Sequence, residues 1–241
     1  FDQLRKIKVL SFRKLWWLSN AICYRFSELY GHHQANRPDV RIFRAWNIGC
    51  HLVAALALYG LLRRVLRASG RVRPGEDGTA WDLAAAVGAT IFAAHPLCTE
   101  SVTYISGRDN GQGGMFYLLG LYAAAVAFGR IGSPLHQPSP SPLPQGEGEP
   151  LRWPAWLWPA VATFVFGAAS VLTKESHLTF PVAVALVYAF FYRGAQPRTM
   201  PKGLLLGLAA AMGALAWGAA GRREGRLGIA LQLIVLLLAA G

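Results

Sequence analysis

Seven long apolar runs, separated by short polar segments, constrain this chain more than any other feature. Hydrophobic residues make up 54% of its 241 residues and charged residues only 15%, and the charges fall between the apolar runs. A run of about 20 residues crosses a hydrocarbon core about 30 Å thick, whereas so few charges would not solvate seven helices around a soluble core. The sequence therefore predicts an all-α, polytopic membrane protein with about seven transmembrane helices. The runs are residues 45–62, 80–94, 115–129, 156–172, 178–192, 203–220 and 227–240.

Two segments differ from this pattern. Residues 1–44 contain nine Lys or Arg residues together with two adjacent tryptophans, and no run long enough to span a membrane. Such a stretch is typical of helices in the membrane interface, so we expect an interfacial segment at 1–44 and a membrane domain at 45–241. Residues 133–150 are rich in Pro, Ser and Gly, which predicts a loop between the third and fourth helices. The chain lacks an initiator Met and its last run reaches Gly241, so we expect a piece of a longer protein.

The basic residues point to two opposite orientations. The loops at 63–79, 130–155 and 193–202 carry five, two and three Lys or Arg residues, ten in all, against five in the loops on the other face. By the positive-inside rule, these short loops place the first set in the cytoplasm. Including residues 1–44 reverses the count to fourteen against ten, so both orientations stay open.

Two polar clusters lie directly against apolar runs. The first contains His95, Glu100 and Arg108, and the second, at 173–177, contains Lys174. Ionisable groups beside membrane spans are costly, so they indicate a functional site. Because successive helices alternate across the bilayer, both clusters should emerge on one face, and the short loops favour the non-cytoplasmic face.

The side chains of these clusters suit the transfer of a group from a phosphate carrier. Arg108 and Lys174 are fixed cations for a phosphate or pyrophosphate. Glu100 and Glu175 are suited to orienting those cations, taking a proton from a hydroxyl or holding a metal, and His95 adds a further donor. Stabilising the departing phosphate would be the main catalytic effect.

Structural roles for the same residues stay open. In one alternative, Glu100 and Arg108 form an ion pair that closes a loop. In another, Lys174 and the neighbouring glutamate lie at a helix end and extend towards water. Asn47 and His51, one helical turn apart in the first run, are more often interhelical hydrogen-bonding groups than catalysts.

The cysteines and the net charge narrow the possible partners. Cys23, Cys50 and Cys98 are too few and too scattered to predict a metal site or a disulfide framework. Cys50 is most simply a small hydrophobic residue, and a pair between the other two is less favoured than free thiols. The net charge of +12 fits binding to anionic membrane lipid. Nucleic acid is disfavoured, because the basic residues are dispersed between the apolar runs.

Four short motifs follow one another between residues 40 and 192. The first pairs an asparagine with a histidine four residues later, the second surrounds a His-Pro dipeptide, the third is Gly-Arg-Asp, and the last is Lys-Glu followed by a proline. In this chain they are Asn47-Ile48-Gly49-Cys50-His51, Ile91-Phe92-Ala93-Ala94-His95-Pro96-Leu97-Cys98-Thr99-Glu100-Ser101-Val102, Gly107-Arg108-Asp109, and Leu172-Thr173-Lys174-Glu175 with Pro181.

The order and spacing of these motifs resemble the transmembrane half of the tetratricopeptide-repeat O-mannosyltransferases and their bacterial relatives. The family pattern reads approximately N-x-x-x-H, F-A-x-H-P-x-x-T-E-x-V, G-R-x-[DE] and [LS]-x-K-E with a later Pro. The resemblance implies a glycosyltransferase type C fold, an all-helical membrane domain. It also implies transfer of a sugar, mannose by analogy, from a polyprenyl or dolichyl phosphate to a hydroxyl on the non-cytoplasmic face.

The resemblance implies roles for individual residues as well. In an inverting displacement, Arg108 and Lys174 would hold the donor phosphate, while His95 and Glu100 would be the catalytic residues. No metal ligand and no cofactor are implied, since the lipid-linked sugar is the donor substrate and a protein or glycan is the acceptor. The supporting residues would be Glu175, Asn47 and His51.

Two features of the family are missing from the sequence. The acidic pair expected in the first outer loop is not found, and neither are the downstream repeats.

The expected location of the protein is the bacterial inner membrane or the endoplasmic reticulum membrane. The alternative is a non-catalytic membrane protein, such as a transporter subunit or assembly factor, with a structural polar cluster.

Overall fold

The computed structural model describes residues 14–30, 38–68, 78–131 and 154–192, and every regular element within these ranges is helical. The first five predicted runs lie in helices. The runs at 203–220 and 227–240 and the loop at 133–150 fall outside the described residues. The helices are α1 (Lys14–Tyr30), α2 (Val40–Ala68), α3 (Thr79–Ala94), α4 (Thr99–Thr103), α5 (Arg108–Ile131), α6 (Leu157–Thr173) and α7 (Phe180–Tyr192), with 3₁₀ helices at Pro96–Cys98 and Glu175–Thr179.

Two of these helices, α2 and α5, are long and apolar enough to cross a membrane. A third span results if α3 and the helical segment Pro96–Thr103 are taken together, across a bend of 51°. The shorter apolar helices are α6 and the stretch Ser176–Ala189. The described part of the chain is therefore all-helical and contains two or three candidate spans. The predicted count of seven is not shown there.

The bend after α3 has a local cause at Pro96. His95 adopts an extended conformation with φ −68° and ψ 130°, as expected for a residue that precedes proline. Proline also lacks the N–H that would continue the helix. The chain therefore leaves α3 at the first polar cluster and turns into the short helix α4.

Large apolar side chains face outward, whereas several polar side chains are buried. Large apolar side chains exposed in rows along helices fit helices that contact lipid on their outer faces. Asn47, Gln112, Ser170 and Thr173 are all buried. The outward apolar residues follow one helical face on each of α2 (Ile48, Leu52, Leu56), α3 (Leu83, Val87, Ile91) and α6 (Trp158, Val161, Val165).

Contacts at the helix ends define the direction of each helix. Arg108 at the start of α5 bonds Asn47 near the start of α2, so these two helices run in parallel. Near the end of α2, Arg63 donates to Asp82 at the start of α3, so α3 runs in the opposite direction. We call the end that holds Asn47 and Arg108 the polar end, and the end that holds Arg63 and Asp82 the basic end.

The core of the bundle surrounds α5, which packs against α2, α6 and α7. Phe180 at the start of α7 is fully buried, as is Val171 of α6. Farther along, the rings of Phe128 and Tyr188 meet edge to face with centroids 5.3 Å apart. The segment predicted to be interfacial contributes α1, which packs onto α2, α5 and α6, and α2 itself begins at Val40, before the predicted boundary at 45.

Single-cysteine variants test whether the two polar clusters share one end. Cys98→Ala leaves only buried cysteines, and in that background Ser106→Cys and Ser176→Cys should react with an impermeant maleimide from the same side of sealed vesicles. Both positions are exposed and belong to the polar end. The control Ala155→Cys, at the basic end, should react from the other side. Labelling of 106 and 176 from opposite sides would contradict the arrangement.

Candidate functional site

Arg108 is the largest fully buried side chain in the described part of the chain, with 1% of its surface exposed. Its Nε donates to Oδ1 of Asn47 at 2.9 Å, and its Nη1 donates to Oδ1 of Asn20 at 3.0 Å. Its Nη2 donates to the carbonyl oxygen of Phe43 at 3.1 Å, and the guanidinium carbon lies 5.0 Å from the centroid of the Phe43 ring. One side chain therefore ties α1 and α2 to the start of α5.

Neutral groups surround this cation. The Sγ of Cys23 lies 3.4 Å from Nη1 of Arg108. Burial raises the pKa of the Cys23 thiol, and the nearby Arg108 charge only partly opposes that shift, so the thiol stays protonated near neutral pH. The guanidinium is thus solvated by amides, a carbonyl, a thiol and an aromatic ring.

The contacts of Arg108 in the structure are with other parts of the protein. Its N–H groups are directed at protein acceptors contributed by α1 and α2, and the side chain does not line the neighbouring pocket. The physical reason is that α1 and the start of α2 pack over it. The predicted pairing with Glu100 is not the contact that forms, since Glu100 is exposed on α4. In this structure the Arg108 side chain therefore joins α1, α2 and α5.

Asn47 and His51 make the interhelical hydrogen bonds that their spacing predicted. The Asn47 side-chain amide donates to the carbonyls of Val102 and Tyr104, at 3.5 Å and 3.2 Å. His51 Nε2 lies 3.0 Å from the carbonyl oxygen of Ala93 at the end of α3. These bonds hold the segment between α3 and α5 against the start of α2.

The two polar clusters meet at Lys174, which ends α6. Its Nζ lies 3.5 Å from Oδ2 of Asp109, and it donates a short hydrogen bond to Oδ1 of Asn110. Successive residues of a helix point about 100° apart, so Asp109 and Asn110 face Lys174 while Arg108 faces α1 and α2. The expectation that the clusters converge is confirmed by this contact.

A pocket of about 380 Å³ opens beside this contact. Its polar lining includes His51, Asn110 and His177, and its apolar lining includes Phe92 and Leu118. Tyr117 and Thr179, which also line it, lie within hydrogen-bonding distance of each other, with 3.3 Å between Oη and Oγ1. With Ser101, the cavity at the polar end therefore has two imidazoles, an amide and three hydroxyls in its lining, and a lysine bonded to that amide.

Gly113 leaves room for the imidazole ring of His177 in this pocket. A Cβ at Gly113 would overlap the imidazole ring of His177, so only glycine allows the ring to approach α5 this closely. The Nδ1 of His177 lies 3.3 Å from the carbonyl oxygen of Ser170, and its ring centroid lies 5.6 Å from that of Tyr117. The imidazole is therefore held between α5 and α6.

The predicted catalytic residues His95 and Glu100 do not line the pocket. His95 is exposed, and its Nδ1 accepts from the backbone N–H of Leu97 at 3.2 Å, which caps the 3₁₀ helix. Glu100 is exposed on α4, next to Ser101, which lines the pocket. The side chain of Glu175 falls outside the described residues.

Sequence reasoning assigned no role to four residues of the polar end, of which Asp109 was named only as part of the Gly-Arg-Asp motif. Asn20 and Cys23 of α1 hold Arg108, and Asp109 and Asn110 hold Lys174. The second pair had a usable signal, because two polar residues directly after Arg108 in one helical turn must point in other directions. The first pair lies 85 and more residues away in sequence and belongs to no motif.

Comparisons with known proteins return no relative: no family model, no curated protein and no solved structure matches this chain. Within ranges 14–30, 38–68, 78–131 and 154–192, no group of three or more His, Cys, Asp and Glu side chains is arranged to hold a metal ion.

Replacing Arg108 tests its structural role. Arg108→Met should lower the free energy of unfolding by about 3 kcal/mol, because it leaves buried acceptors on Asn20, Asn47 and Phe43 without their donor. The measurement is reversible unfolding of the purified protein in mixed detergent micelles. Arg44→Met, at an exposed position of the same region, is the control and should change stability by no more than about 0.5 kcal/mol. Equal effects of the two substitutions would contradict this role.

Proposed function

We propose that this protein is a membrane glycosyltransferase. It transfers a sugar, mannose by analogy of the motifs, from a polyprenyl or dolichyl phosphate to a hydroxyl of a protein or glycan. The proposal includes a polytopic, type C glycosyltransferase-like fold of about seven spans in the bacterial inner membrane or the endoplasmic reticulum membrane, with the site on the non-cytoplasmic face. The observation that carries it is the pocket at the polar end, with Lys174 bonded to its lining.

The pocket suits a ligand that is partly polar and partly in the membrane. Its volume of about 380 Å³ falls in the range of small-molecule sites. Its polar groups lie among helices whose outward faces are apolar. The sugar phosphate of the donor would bind in the polar pocket, and its lipid chain would lie against the apolar outer faces of the helices.

Lys174 is the residue that we assign to the donor phosphate. It is a flexible cation whose side chain keeps 23% of its surface exposed, so it is able to turn from Asp109 and Asn110 to a ligand. Arg108 is assigned a positioning role, because it anchors the first turn of α5, which carries both of these partners. This replaces the expectation that both cations bind the phosphate directly.

Glu100 is the residue that we assign to the acceptor hydroxyl, with His95 beside it on the same exposed segment. In the proposed step the hydroxyl proton passes to the Glu100 carboxylate as the hydroxyl oxygen bonds to the anomeric carbon. The bond from that carbon to the phosphate oxygen breaks, and its electron pair leaves with the lipid phosphate. Lys174 offsets the charge that develops there, which is the electrostatic part of catalysis.

Lys174→Gln tests the donor site. We expect about tenfold weaker binding of a radiolabelled polyprenyl-phosphate mannose, since a charge-assisted hydrogen bond is lost. The melting temperature should change little, because the contacts of this lysine are partly exposed. Lys174→Arg keeps the charge and should restore most of the binding, and Arg44→Gln is a control for nonspecific loss of charge. Unchanged binding by Lys174→Gln would refute the assignment.

Glu100→Gln tests the transfer step separately. We expect sugar transfer to fall by a factor of about 10² or more, which is the usual contribution of general-base catalysis, with donor binding unchanged. Asp109→Asn is the matched carboxylate variant and should act mainly on donor binding, through Lys174. Full transfer by Glu100→Gln would show that the base lies elsewhere.

A second candidate function is a non-catalytic membrane protein, such as a transporter subunit or assembly factor. The observation that favours it is the cage of buried acceptors around Arg108. This part of the polar cluster joins helices to one another. The two candidates differ in one measurement. Specific binding of the lipid-linked sugar that depends on Lys174 is expected only for the glycosyltransferase.

A further inference from the structure

A second cavity, of about 670 Å³, lies at the basic end along α2 and α5. A Cβ at Gly60 would come within 2.7 Å of the Tyr122 ring, so the glycine lets this ring pack closely against α2. The Arg64 guanidinium lies over the same ring, 5.6 Å from its centroid. Gly60, Tyr122 and Arg64 together form a defined groove whose cation is oriented by an aromatic face.

Two further arginines line the groove. Arg63 donates from Nε to Oδ1 of Asp82 at 2.9 Å, and Arg67 donates from Nη2 to Oδ2 of Asp82 at 2.6 Å. Asp82 thus fixes both guanidinium groups while keeping them partly exposed, with 43% and 44% of their side-chain surface accessible. Among the described residues, the three arginines and this one carboxylate carry a net charge of two positive units at the mouth of the groove.

The other part of the groove is apolar. Val53, Leu56 and Ala57 of α2 and Leu119 of α5 line it, and Leu56 is 69% exposed. At 1.5 Å of rise per residue, the α2 wall extends about 16 Å from Arg64 to Val53. The groove is therefore cationic at the end of the helix and apolar towards its middle, in a helix long and apolar enough to span a membrane.

We propose that this groove binds an anionic phospholipid of the leaflet at the basic end. Its phosphate lies against Arg64, between the guanidinium groups that Asp82 orients, and one acyl chain follows Val53, Leu56 and Leu119. The net positive charge selects an anionic headgroup, because a zwitterionic lipid would leave that charge uncompensated. The site lies at the opposite end from the pocket of the proposed function and does not depend on it.

Native mass spectrometry of the purified full chain, released from detergent with defined lipids, tests this site. The protein should retain phosphatidylglycerol in preference to phosphatidylcholine. Arg64→Gln should weaken retention of phosphatidylglycerol about fivefold, the expected effect of one basic residue at a membrane surface. Leu56→Asn, which removes apolar wall without changing charge, should weaken it as well. Arg44→Gln, an exposed arginine at the other end of α2, should have no effect.

Three results would overturn the proposal. The first is equal retention of the two lipids by the unchanged protein, which is decisive even if a variant fails to fold. The second is unchanged retention of phosphatidylglycerol by a folded Arg64→Gln variant. The third is displacement of the lipid by soluble glycerophosphate at equal concentration, since the groove would then recognise a free phosphate and its apolar wall would contribute nothing.

Discussion

The polar end depends on how the chain buries the charge of Arg108. Removing a guanidinium from water costs several kcal/mol, and here the cost is offset by amide, carbonyl and thiol acceptors and by the ring of Phe43. These partners come from α1 and α2, so the charge is solvated only when both helices are docked on α5. If either helix undocks, the buried guanidinium loses part of its acceptors. The docking of α1 and α2 on α5 is therefore cooperative.

Within a single helical turn of α5, Arg108 and the two residues that follow it contact different parts of the protein. Arg108 faces α1 and α2, and the next two residues, Asp109 and Asn110, face Lys174 at the end of α6. The position of the pocket follows from this division, since Asn110 lines it and His177 is held against α5 at Gly113. Under the proposed function, a substitution at Arg108 would change donor binding through geometry, whereas one at Lys174 would act through charge.

Much of the fold follows from simple patterns in the sequence. The apolar runs predicted α2, α3, α5, α6 and α7, and the expected alternation of helix direction predicted that the two polar clusters lie at one end. The spacing of Asn47 and His51 also indicated their interhelical bonds. The role of Arg108 could not be derived in this way, because its Asn20 partner is 88 residues away and helix-to-helix docking has no local signature. A motif shows that a residue is unusual without showing what surrounds it.

The two cations of the polar end also illustrate why side-chain type matters as much as charge. A guanidinium is planar and carries five N–H donors in fixed directions, so it suits a cage of several neutral acceptors that must be satisfied together. An ammonium on a flexible stem has no such preferred plane, so it tolerates changes of partner. Arg108 occupies the buried position of the polar end, and Lys174 occupies the partly exposed position beside the pocket. A lysine in place of Arg108 would therefore leave the cage short of donors.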